Sequence, residues 1–91
     1  MRNFWKTNKK RYAYPGCMGA EQFDLLIDIS AIHSEKVISA LKDYYVTGLE
    51  PKDACKKNKV SMSYFSVSRN KLMLLNSLVA SVARYYSPAS V

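Results

Sequence analysis

Between Lys52 and Lys71 the chain sets out cations and hydroxyls of the kinds that grip phosphate and read base edges. Lys52, Lys56, Lys57 and Lys59 come first. Ser61, Met62, Ser63, Tyr64, Ser66, Val67, Arg69, Asn70 and Lys71 follow. Lysines meet phosphates as point charges, while hydroxyls and a helix N-terminus hold phosphate oxygens. Arginine and asparagine also match guanine and adenine edges with paired hydrogen bonds. This is recognition chemistry.

A helix, a tight turn and a second helix over about 51–71 would put these side chains outside, as in a helix-turn-helix. Pro51 suits the first helical position, where its missing N–H has no partner to lose. Asp53 favours the same first turn. Ala54 and Cys55 are small enough to face inward, which leaves the lysines pointing out. Ser61 can cap a second helix that runs to about Tyr86, with Pro88 at its exit. Val60 then enters from the turn and Phe65 plugs the space between the helices. Lys59 falls where such motifs often place glycine, so either Lys59 or Asn58 must supply the left-handed residue.

The charge map agrees. The net charge of +7 divides unevenly along the 91 residues. Residues 1–20 carry Arg2, Lys6, Lys9, Lys10 and Arg11 and no acid. All 7 acids lie between Glu21 and Asp53, and residues 54–91 again hold only cations. Such asymmetry implies an anionic partner, with nucleic acid ahead of a membrane surface. No segment reaches the roughly 20 apolar residues of a membrane span, and the basic N-terminus lacks a signal peptide's apolar run. We expect a cytoplasmic, nucleoid-associated protein with no membrane partner.

Catalytic sets are missing. His33 is the sole histidine, and no second imidazole or carboxylate cluster accompanies it, so a loop or capping contact is expected. The serines form no triad order, and three glycines make no phosphate loop. Cys17 and Cys55 lack a CxxC spacing, and Cys55 is expected to pack inward. The chain reads as a non-enzyme without metal or cofactor.

Upstream, residues 1–16 form a basic, aromatic arm containing Phe4, Trp5, Tyr12 and Tyr14. Such an arm either enters a DNA groove or covers the domain. Residues 17–91 form the helix-turn-helix domain. A first helix is expected from about Ala20 to Ile29, and a second after a Ser34 cap. That second helix carries Val37, Ile38, Leu41, Tyr44 and Tyr45 on one face and stops at Gly48. The last helix presents a seam of Phe65, Ser68, Leu72, Leu75, Val79, Val82 and Tyr86. Met73, Leu74, Leu78 and Tyr85 lie off that seam and are the expected oligomerisation residues, or else are buried under the first two helices. The fold class is all-α, a small bundle of four or five helices with a long C-terminal one.

The stretches FDLLIDISAIHSEKVISALKDYYVTG and ACKKNKVSMSYFSVSRNKLMLLNSLVASVARYY resemble the PapB-type family of fimbrial (adhesin) biosynthesis regulators. The telling pieces are Ser30 to Ser34, Lys42-Asp43-Tyr44, Tyr64-Phe65-Ser66 and Leu75-Asn76. The resemblance covers roughly residues 17–87 and leaves the arm outside. It implies a helical, DNA-binding transcription factor that binds A/T-rich double-stranded DNA upstream of fimbrial operons, often as an oligomer. It leaves the choice of groove open. The alternative is a protein-interaction module, an anti-regulator whose apolar last helix grips a partner.

Overall fold

The computed structural model describes residues 14–86, so the arm through Ala13 and the exit at Pro88 lie outside the described residues. Helix α1 is Ala20–Ile29 and α2 is Glu35–Lys42, which passes directly into a π-helical turn at Asp43–Thr47. Helix α3 is Pro51–Asn58 and α4 is Met62–Ala83. The described residues contain helices and no strand, so the fold class is all-α.

Local chemistry sets the boundaries. The Ser34 Oγ accepts from the Val37 N–H at 3.4 Å, and the Ser61 Oγ accepts from the Tyr64 N–H at 3.2 Å. Pro51 occupies the first turn of α3, and Gly48 closes the π turn in the left-handed region at φ 92°. Helix α4 stops at Ala83, three residues short of the expected end, and Tyr85 and Tyr86 follow in a turn.

The π turn is the main departure from a plain second helix. Both the Gly48 and Leu49 N–H groups converge on the Asp43 carbonyl. This leaves the next two carbonyls for the incoming chain. The Gly16 N–H donates to the Tyr44 carbonyl at 2.8 Å, and the Met18 N–H donates to that of Tyr45 at 2.9 Å. Gly16 has φ 74°, and a Cβ there would sit 3.5 Å from the Gly48 Cα, so glycine suits both sides of this crossing.

The core forms where the four helices meet this turn. Phe23, Leu26, Val37, Leu41, Tyr44, Tyr45, Phe65 and Leu72 are buried together. The Tyr44 ring meets Tyr45 edge-on at 4.9 Å and Phe65 edge-on at 5.8 Å, the arrangement the ring quadrupoles favour. Truncating so central a ring as Phe65 typically costs about 3–5 kcal/mol.

The expected seam of α4 holds only through its first half. Phe65, Ser68 and Leu72 are buried, and the buried line continues through Asn76 rather than Leu75, which is half-buried. Val79, Val82 and Tyr86 are exposed, contrary to the expected seam. At 3.6 residues per turn the buried face of α4 rotates off a strict 3-4 seam, so the buried line moves onto Asn76 and Ser77 and leaves Val79 and Val82 outside.

Candidate nucleic-acid interface

Helices α3 and α4 build the expected pair. Cys55 is buried and faces inward, Val60 is half-buried, and Phe65 is fully enclosed between the helices. The Val60 N–H donates to the Cys55 carbonyl at 3.0 Å and closes the turn. Burial pushes both the Cys55 and Cys17 thiols up, so each stays protonated at neutral pH. Packing, not reactivity, explains Cys55.

Lys59 is the left-handed residue, at φ 57° and ψ 47°. Among the described residues no other non-glycine has positive φ. Asn58 cannot take that role because it is the last residue of α3. Its Nδ2 donates to the Asp43 Oδ2 and to the Ala54 carbonyl, each at 2.8 Å. Lys57 reaches the same carboxylate at 3.6 Å. Asp43 therefore ties α3 to the π turn, with its own side chain mostly buried.

The remaining candidates divide by exposure. Lys52, Lys56, Lys59 and Lys71 are exposed, as are Ser61, Met62, Ser63, Tyr64, Val67 and Asn70. Ser66 and Arg69 are half-buried. The Arg69 guanidinium stacks 5.5 Å from the Tyr44 ring centroid and 5.6 Å from that of Phe65. Its carbonyl accepts from the Tyr45 hydroxyl at 3.4 Å. Burial holds the Tyr44 and Tyr45 phenols above their ordinary range, and the Arg69 charge opposes the rise at both.

Met73 is buried, whereas Leu74, Leu78 and Tyr85 are exposed. Met73 thus faces the domain interior, apart from the stripe that the other three present.

The Asp43 anchor and the Arg69 stack were both missed by sequence reasoning. A charge pattern does not distinguish an arginine that reads a base from one that lies on a ring in another helix. Among the described residues no cluster of histidine, cysteine and carboxylate could hold a metal. Nor is any described helix long and apolar enough to cross a membrane.

The model of the adhesin biosynthesis transcription regulatory protein family (PapB) matches residues 1–86, which takes in the arm that the motifs had left outside. The major pilus subunit operon regulatory protein PapB of Escherichia coli is 46% identical over 76 residues, covering 84% of this chain and 73% of its own. The AFA-III adhesin operon regulatory protein of Escherichia coli is 42% identical over 67 residues, covering 74% of this chain and 66% of its own. The crystal structure of Escherichia coli FocB superposes with a TM-score of 0.81 at 44% identity, covering 94% of this chain and 98% of that one.

Proposed function

This chain belongs to the PapB family of adhesin biosynthesis transcription regulatory proteins, and from that premise we propose that it regulates a fimbrial or adhesin operon by binding DNA through α3 and α4. One observation carries the reading. The exposed start of α4, capped by Ser61 and flanked by exposed Lys56, Lys59 and Lys71, belongs to a stretch of chain without an acid after Asp53.

In this reading Lys52, Lys56, Lys59 and Lys71 neutralise phosphates. The α4 N-terminus and the Ser61 and Ser63 hydroxyls fix the register on the backbone. Tyr64, Val67 and Asn70 face the bases, with Met62 and Ser66 beside them. Lys57 shares its charge with Asp43. Arg69 holds the reading helix against the Tyr44 and Phe65 rings from behind. A/T preference is the expected mode, and titration of matched A/T-rich and G/C-rich duplexes tests it. Equal affinity would leave a non-specific binder.

The exposed face of Leu74, Leu78 and Tyr85 supports self-association on the operator, while Met73 is buried within the domain. Sedimentation of the free and DNA-bound protein tests this. A strict monomer in both would refute it. Loss of regulation on changing Leu74 and Leu78 while Lys56→Glu is silent would instead favour the anti-regulator.

A further inference from the structure

Away from the lysines, α1 and the far half of α4 enclose an open groove of about 470 Å³. That lies within the roughly 300–1,000 Å³ typical of ligand-sized clefts. Leu25, Leu26, Ile29 and Val79 make its floor and walls. Leu25 and Ile29 are 61% and 60% exposed, unusual for large aliphatic side chains on one helix face.

Two polar features mark the groove as built for an occupant. Asn76 also lines it, is only 5% exposed, and its buried Nδ2 has no hydrogen-bond partner among the described residues. A buried amide donor without an acceptor is costly, and a peptide carbonyl would satisfy it. The rim is acidic: Glu21 and Asp28 line the groove, on a helix with no cation. Asp24 of the same helix meets Lys42 at 3.8 Å, but among the described residues Glu21 and Asp28 enter no ion pair.

We propose that this groove holds the chain's own N-terminal segment, residues 1–13, with aromatic side chains on the aliphatic floor and cations against the carboxylate rim. The segment offers Phe4, Trp5 and Tyr12 together with Arg2, Lys6, Lys9, Lys10 and Arg11, and no acid. Its length is sufficient. Thirteen extended residues span roughly 43–47 Å, while Glu21 lies seven positions past Tyr14 and so within about 25 Å of it. A second copy fits less well, because a two-fold contact across α1 would set these unpaired carboxylates against their own kind. The inference stands apart from the DNA reading, since no residue of the groove belongs to the proposed interface.

Trp5 is the sole tryptophan and reports directly. In the full-length protein its emission is expected to be blue-shifted and shielded from acrylamide, and unchanged on serial dilution. Leu25→Asp with Ile29→Asp should abolish the shift, as should Glu21→Lys with Asp28→Lys. Leu74→Asp, outside the groove, should not. Helical circular dichroism checks that each variant is folded, and the charge-reversal pair serves if the aspartate pair is not. Solvent-like Trp5 emission in the unmodified protein would overturn the proposal. So would a shift that survives in a folded groove variant. A shift lost on dilution would assign the groove to a second copy.

Discussion

The guanidinium of Arg69 lies over the ring of Tyr44, 5.5 Å from its centroid, and so joins α4 to the π turn. Phe65 supplies a second ring face at 5.6 Å. A partly desolvated cation–π contact contributes about 1–2 kcal/mol. Arg69→Ala should lower the urea-unfolding free energy by that amount. Arg69→Lys should recover only part, because an ammonium cannot stack as a plane. Its DNA affinity should fall less than that of Lys56→Glu, and the reverse order would return Arg69 to the DNA.

Lys59 sits in the left-handed region at φ 57°, which costs a side-chain-bearing residue roughly 1–2 kcal/mol. Glycine relieves that strain but widens the unfolded ensemble. The net gain for Lys59→Gly should be about 0.5–1 kcal/mol. The same change should flatten the log–log salt dependence of DNA binding by about 0.9 if Lys59 neutralises one phosphate. A more stable protein with weaker binding is the expected pair of results.

Asp43 accepts from the Asn58 amide at 2.8 Å and pairs with Lys57 at 3.6 Å. Asp43→Ala should cost about 1–3 kcal/mol, the range for stranding partners of a mostly buried acceptor. Asp43→Asn keeps an acceptor oxygen and should cost less. Thermal unfolding of the two variants side by side measures the difference.

Alkali should unfold the protein through its buried phenols. The Tyr45 hydroxyl, desolvated by burial, is pushed well above the ordinary value of 10.0, and that of Tyr44 is raised as well. The unfolded chain therefore releases these protons first. Their contribution is complete below pH 10 and declines as the pH climbs past it. Tyr45→Phe should reduce that alkaline slope while costing at most about 1 kcal/mol at neutral pH, since the lost hydrogen bond is long. Stability measured against pH from 7 upward gives the slope directly.

Much of this architecture is legible in the chain. Ser34, Gly48, Pro51 and Ser61 announce helix boundaries by local chemistry, and each stands where its side chain or backbone required. Lys59 shows the limit. Its place in the turn could be named, but the choice between it and Asn58 depended on Asp43, fifteen residues earlier in the chain, occupying the Asn58 amide. The π turn was hidden for the same reason, since its freed carbonyls are explained only by the distant Gly16 and Met18. Val79 is exposed against the expected seam, and Met73 takes the buried one of its two expected places, because a repeat pattern cannot tell where neighbouring helices stop.

The two tyrosines of the π turn serve two joints at once. Their carbonyls receive the chain arriving at Gly16 and Met18, while their side chains secure Arg69 on α4. Gly16 and Met18 are thus linked to Arg69 through two neighbouring residues, each using its backbone for one joint and its side chain for the other. A substitution that shifts either tyrosine therefore disturbs the entry of the chain into the domain and the seating of α4 together.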